Sequence, residues 1–144
     1  MDKRAAIVLA AFCFTILPGG YVEANDKTPE QMVQEAKARI REVSIADVKG
    51  MIDAKENVVI LDVRDKQEFE EGRIPEAINI SRGMLEFKVA MIIPDKNAKI
   101  IVYCGLDLRG PLATKTMNDL GYKNAINMLG GLKAWKEAAY PIVK

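Results

Sequence analysis

Two uninterrupted aliphatic runs, Val58-Val59-Ile60-Leu61 and Ile100-Ile101-Val102-Tyr103, constrain the fold more than any other feature of this chain. A strand that is apolar at successive positions, not at alternate ones, has to be covered on both faces. Ala77-Ile78-Asn79-Ile80 and Ala125-Ile126-Asn127-Met128 read as two further strands, and helical stretches around 66–71, 83–91, 111–120 and 132–138 separate the runs. Alternation of strand and helix predicts an α/β fold, three layers deep, with a central parallel sheet and helices on both faces.

Ahead of this pattern lie two segments of different character. Residues 1–24 read as a signal peptide: Met1-Asp2-Lys3-Arg4 is a short basic start, residues 5–17 are apolar apart from Thr15, Pro18-Gly19-Gly20 breaks the helix, and Val22-Glu23-Ala24 offers a small-x-small cleavage pattern. The expectation is an exported protein, periplasmic or secreted. The apolar run is too short for an easy transmembrane span, so no stable membrane insertion is expected after cleavage; the alternative is that the segment stays uncleaved as an N-terminal anchor. Cys13 lies within this leader, where the bulky Phe12 before it argues against a lipoprotein-type signal. Residues 25–42 read as an N-terminal helical extension: Thr28-Pro29-Glu30-Gln31 combines a capping box with proline in the first turn, and Met32, Val33, Ala36 and Ile40 follow at helical spacing. Residues 43–144 form the main domain, opening with a second capping pattern, Ser44-Ile45-Ala46-Asp47, and a short helix bearing Ile45, Val48, Met51 and Ile52 on one side.

Composition removes several functions. A formal net charge of +1 across 144 residues, with no basic run, gives no field that would gather nucleic acid. Histidine is absent, which excludes Cys-His and Ser-His catalysis, histidine-ligated metals and histidine bases. No metal and no cofactor is expected. Any nucleophile here is activated by a backbone dipole, a cation or a carboxylate. If the leader is removed after Ala24, Cys104 is the remaining one of two cysteines. A lone thiol in an oxidising compartment calls for a reason.

The setting of Cys104 supplies one. It follows directly on the strand 100–103, at the end of a parallel strand where α/β folds bind ligands. The stretch Cys104-Gly105-Leu106-Asp107-Leu108-Arg109 forms a compact turn into Gly110-Pro111 and a helix carrying Ala113, Thr116, Met117 and Leu120, which Gly121 ends. A helix N-terminus presents unpaired N–H groups and partial positive charge. Thiols held there ionise more readily than free ones, and the same N–H groups hold anions. Arg109 adds a permanent cation with a planar fork of donors.

Three ordered segments resemble the single-domain rhodanese family of sulfurtransferases. They are Leu61-Asp62-Val63-Arg64 with Glu68-Phe69-Glu70-Glu71-Gly72 and Ile74-Pro75-Glu76-Ala77-Ile78-Asn79-Ile80; Ile101-Val102-Tyr103-Cys104 with Arg109; and Gly121-Tyr122 with Leu129-Gly130-Gly131-Leu132-Lys133-Ala134-Trp135. Arg73 stands where that family usually has His, and Glu76 where it usually has Gly. The resemblance implies a rhodanese-like sheet of about five strands and a two-step reaction. Cys104 takes a sulfane sulfur from a small donor, thiosulfate or a persulfide. The resulting persulfide then gives it to a thiol or other nucleophile, a protein sulfur acceptor included. Gly105, Leu106, Asp107, Leu108, Arg109 and Gly110 would bind the substrate.

Further expectations attach to single residues. Arg109 either binds the substrate anion or braces the loop through backbone carbonyls. Asp62 and Arg64 form an internal ion pair supporting the site, in preference to a substrate clamp. Trp135 is core, and Met84, Met91, Met117 and Met128 are core or rim packing. Asp107 offsets the charge of Arg109, which predicts poor use of thiosulfate and preference for a persulfide or protein donor; Asp107→Lys with a thiosulfate KM measurement tests it. Two alternatives remain: a phosphatase or arsenate reductase on the same scaffold, or a non-catalytic sulfur-carrier or binding module. Phosphatase relatives have one more residue between Cys and Arg, whereas only Gly105, Leu106, Asp107 and Leu108 intervene here.

Overall fold

A computed structural model describes residues 26–144 of the chain; the leader and Cys13 lie outside the described residues. Helix α1 (Pro29–Lys37) starts where the capping box places it: Thr28 Oγ1 accepts from the Gln31 N–H at 3.3 Å, and Gln31 Oε1 accepts from the Thr28 N–H at 2.9 Å. Val33 and Ala36 are buried, whereas Met32 of the expected stripe is exposed and Ile40 lies beyond the helix. The chain then enters strand β1 (Arg41–Val43), so Arg41 and Glu42 are sheet and not helical extension. Both residues are exposed and the strand has three residues, too few to show a period in the sequence. Its existence rests on backbone pairing with the last strand, with Glu42 opposite Asn127.

Helix α2 (Ile45–Asp53) is capped by Ser44, whose Oγ accepts from the Asp47 N–H at 3.1 Å and donates to the Asp47 carboxylate at 2.6 Å. There follow β2 (Val59–Asp62), α3 (Lys66–Glu71), β3 (Ile78–Asn79), a 3-10 turn (Arg82–Met84) leading into α4 (Leu85–Ile92), β4 (Ile100–Tyr103), α5 (Arg109–Asp119), β5 (Ala125–Met128) and α6 (Gly131–Glu137). All pairs are parallel, and the five strands lie in the order β1-β5-β4-β2-β3. This is the expected α/β architecture.

Alternate side chains of the two aliphatic strands feed two separate cores, as pleating requires. Leu61, Ile100 and Val102 join Leu85, Val89 and Met117 from α4 and α5 on one face. Ile60, Ile101 and Tyr103 join Val48, Leu132 and Trp135 from α2 and α6 on the other. Trp135 is core, and its Nε1–H donates to the Pro141 carbonyl at 2.8 Å. Met117 and Met128 are fully buried, but Met84 and Met91 are exposed and pack in neither core. Helix α5 ends as Gly121 predicts, with φ +96° at that glycine and the Tyr122 N–H reaching back to Met117 O.

Two boundaries move toward the site. Strand β2 extends to Asp62, which pairs with both Tyr103 and Asn79 although its side chain is ionisable. Helix α5 begins at Arg109, two residues before the expected start at 111, so Arg109 is the first helical residue and not the end of a loop.

Candidate active site

Strand β4 lies in the middle of the sheet, and the residue that leaves its carboxyl end is Cys104. The side chain is 1% exposed and its thiol is free. Residues 105–108 then arch over to α5, with Leu106 and Leu108 exposed and Gly105 and Asp107 half-buried.

The backbone of this arch is held from one side. The carbonyls of Cys104 and Gly105 accept from the N–H groups of Leu132 and Lys133, at 2.8 and 3.1 Å, in the first turn of α6. Gly131 makes this approach possible: it has φ +61°, and a Cβ there would stand 2.6 Å from Cys104 O and 2.8 Å from Gly105 O. With its carbonyls so engaged, the arch keeps its donors free: among the described residues, the N–H groups of 105–109 have no protein acceptor. Gly110 closes the other side, where a Cβ would lie 3.6 Å from Cys104 Sγ and 2.5 Å from Asn127 Oδ1. Unpaired amides at a helix start are groups that can stabilise negative charge on a neighbouring sulfur.

Arg109 is braced by a carboxylate and not by backbone carbonyls. Its Nη1 and Nη2 donate to Glu68 Oε2 and Oε1 at 2.7 and 2.8 Å, a bidentate pair, with Asp65 at 3.8 Å. The hydrogen bonds from Arg109 hold the Glu68 carboxyl below the usual carboxylate range, and those to Glu68 push the guanidinium further up. Glu68 also accepts from the Asp65 N–H at 3.2 Å, closing the capping box of α3. Glu68 appears in the sequence only as part of the Glu68-Phe69 segment; its partner lies 41 residues away, and no local pattern announces the pair.

Asp107 does not face Arg109. Its Oδ2 accepts from Lys37 Nζ at 2.6 Å and its Oδ1 from Asn127 Nδ2 at 2.8 Å, and its backbone sits at φ +61°. The offset of the Arg109 charge comes from Glu68 instead. Asp62 and Arg64 form the expected internal pair: Arg64 Nη2 and Nε reach Asp62 Oδ2 at 2.6 and 3.0 Å, and Nη2 also donates to Gly72 O at 2.8 Å. Burial is the largest single effect and works against the Arg64 charge, but the hydrogen bonds to Asp62 together with the negative charge around it push the guanidinium up. Asn79 Nδ2 adds bonds to the carbonyls of Asp62 and Arg64, so the strand end beside the site is tied to β3.

Residues 44–138 match the family model for the rhodanese-like domain. The chain belongs to the rhodanese-like family. Among relatives, YtwF of Bacillus subtilis, provisionally named a sulfurtransferase, is 32% identical over 102 residues, 71% of this chain and 96% of that protein. Two solved structures carry the likeness into three dimensions. A protein of unknown function from Rhodopseudomonas palustris, described as a possible tyrosine phosphatase, superposes with a TM-score of 0.76 at 34% identity over 81% of this chain and 95% of that one. The polysulfide-sulfur transferase homodimer of Wolinella succinogenes gives 0.66 at 30% identity over 77% and 83%. Relatives named as sulfurtransferases support that activity for this rhodanese-like domain in general terms. The matched residues include Cys104, Arg109 and Glu68; Lys37 and Glu42 precede them.

Proposed function

We propose that this chain moves a sulfane sulfur from a donor to a thiol or other nucleophile through a persulfide on Cys104. The observation that carries the reading is the free Cys104 thiol at the end of the central strand, followed by loop amides that have no protein acceptor among the described residues. The Cys104 thiolate attacks the outer sulfur of the donor, a new S–S bond forms, and the old one breaks with its electron pair leaving on the donor. With thiosulfate the leaving group is sulfite; with a persulfide it is a thiolate. The acceptor thiolate then attacks the terminal sulfur, takes it, and returns Cys104 as thiolate. Throughout, the loop amides stabilise charge on sulfur, and no histidine is needed.

The donor class follows from charge. Three cations near the thiol each hold a carboxylate already: Arg109 with Glu68, Lys37 with Asp107 and Arg64 with Asp62. A dianion such as thiosulfate has to compete for Arg109, whereas a persulfide does not. A persulfide or protein donor is therefore preferred, with Glu68 supplying the discrimination first assigned to Asp107. Export directed by residues 1–24 belongs to the same proposal, and N-terminal sequencing of the protein recovered from cell fractions tests it.

The deciding experiment compares wild type and Cys104→Ser with thiosulfate, an organic persulfide and para-nitrophenyl phosphate. Sulfur transfer by wild type alone, with one added sulfur on Cys104 by mass spectrometry, is expected. Equal transfer by both proteins overturns the reading. Phosphate-ester hydrolysis without sulfur transfer would favour the chemistry suggested by the description of the Rhodopseudomonas neighbour.

A further inference from the structure

An acid in the loop that stabilises a sulfur anion is a contradiction unless something cancels it. Asp107 is half-buried, three residues after Cys104, and held at positive φ. Its two oxygens are taken up by Lys37 from α1 and Asn127 from β5. Asn127 is fully buried, and its Nδ2 also donates to Glu42 Oε1 at 3.0 Å, so the amide nitrogen bridges two carboxylates. That bridging fixes the amide orientation, because the reverse would set its oxygen against both acids. The consequence is that Asn127 Oδ1 is left buried without a donor, beside Gly110 and the Cys104 sulfur. A buried acceptor without a donor costs stability and calls for an explanation. Holding Asp107 is the explanation at hand.

We propose that α1 is a working part of the active site and that Lys37 is a positioning residue: it neutralises Asp107, so that an acidic loop tolerates a thiolate and a persulfide anion on Cys104. Helix α1 packs on α5, and Lys37, in its last turn, reaches the Asp107 carboxylate, whereas Arg109 is held by Glu68. The hydrogen bond with Asp107 pushes the Lys37 ammonium further up, and charge on Cys104 and Glu42 acts in the same direction. The charged residues around the thiol and its loop are thus Lys37 from α1, Glu42 from β1, the Arg64–Asp62 pair at the end of β2, Glu68 and Asp65 from α3 and its cap, Arg109 from α5, Lys133 from α6, and Asp107 itself. Lys37 precedes the residues that match the family model, so the counter-charge comes from outside the rhodanese-like module. The inference rests on Cys104 reacting as an anion, which is part of the reading above.

The test is the pH profile of Cys104 alkylation by iodoacetamide in the full chain, with sulfur-transfer kcat alongside. Lys37→Met leaves Asp107 uncompensated; the profile moves up by about one pH unit, and alkylation below its midpoint slows about tenfold. Asp107→Asn leaves Lys37 uncompensated and moves the profile down. The double variant returns toward wild type, and Lys37→Arg stays near it. A loop that was merely disordered by either change would shift in one direction with both and would not recover in the double variant. Unchanged profiles, shifts of the same sign, or a double variant that does not return toward wild type overturn the proposal. If Lys37→Met does not fold, the sign of the Asp107→Asn shift decides alone. Failure of the sulfurtransferase reading shows separately, as sulfur transfer that survives Cys104→Ser.

Discussion

Substituting Gly131 with alanine tests how the site is held. The added Cβ would lie 2.6 Å from Cys104 O and 2.8 Å from Gly105 O, while ordinary contact begins near 3.4 Å, so the arch has to retreat by about 0.8 Å. That movement stretches the bonds from Leu132 and Lys133, now 2.8 and 3.1 Å, and their loss costs about 1 kcal/mol each. A side chain at φ +61° adds ~1 kcal/mol of backbone strain, and the stiffer unfolded chain returns about half a kcal/mol. The expected loss is about 2–3 kcal/mol, or a Tm drop of roughly 10 °C for a domain of this size. Urea denaturation measures the first and calorimetry the second. Activity falls further than stability suggests, by roughly a hundredfold at a temperature where the variant is folded, because a displacement near 1 Å at the nucleophile costs about that much. Gly50→Ala is the control: it lies in α2 with nothing within 4 Å of the new Cβ, and it stabilises by about 0.5–1 kcal/mol. A Gly131→Ala stability loss below about 1 kcal/mol, or an activity unchanged at a temperature where the variant is folded, refutes the reasoning.

Three further outcomes are expected. Asp62→Asn leaves the buried Arg64 charge with weakened partners and costs about 3 kcal/mol in urea unfolding, with m unchanged. Glu68→Gln frees Arg109, so the thiosulfate KM falls while the persulfide KM holds. The Glu68 pKa is depressed in the folded chain, so the contribution of its pair with Arg109 is complete above the ordinary 4.5 and lost as pH falls through the lowered value. Melting curves of wild type therefore drop in that acidic window, and those of Glu68→Gln drop less. Glu76→Gly relieves a non-glycine residue at φ +63° and leaves stability unchanged or raised by up to ~1 kcal/mol, read by thermal melting.

The central sheet was legible because β2 and β4 are buried on both faces and say so in continuous aliphatic runs. Strand β1 was not, since Arg41 and Glu42 are exposed residues of a three-residue strand and its partner β5 lies 85 residues further along the chain. Cys104 and Arg109 were legible because a strand end, a glycine-bounded turn and a helix start follow one another in the chain. Their partners were not: Glu68 reaches Arg109 across 41 residues and Lys37 reaches Asp107 across 70. Two positions apart, Asp107 and Arg109 look like a pair in the sequence, but the loop turns through a positive φ at Asp107 and its carboxylate goes to Lys37 of α1 instead. Likewise Gly131 looked like part of a terminal motif, and only the approach of α6 to the Cys104 carbonyl shows what its missing side chain does.

The grip of α6 on the arch runs through main-chain atoms, and Leu106 and Leu108 contribute only outward-facing side chains. Evolution can therefore rewrite those two positions without disturbing the nucleophile. They act as an exchangeable faceplate on a fixed mechanism. Divergence of donor or acceptor preference among descendants of this chain should accumulate there first, well before it reaches the residues that hold the sulfur.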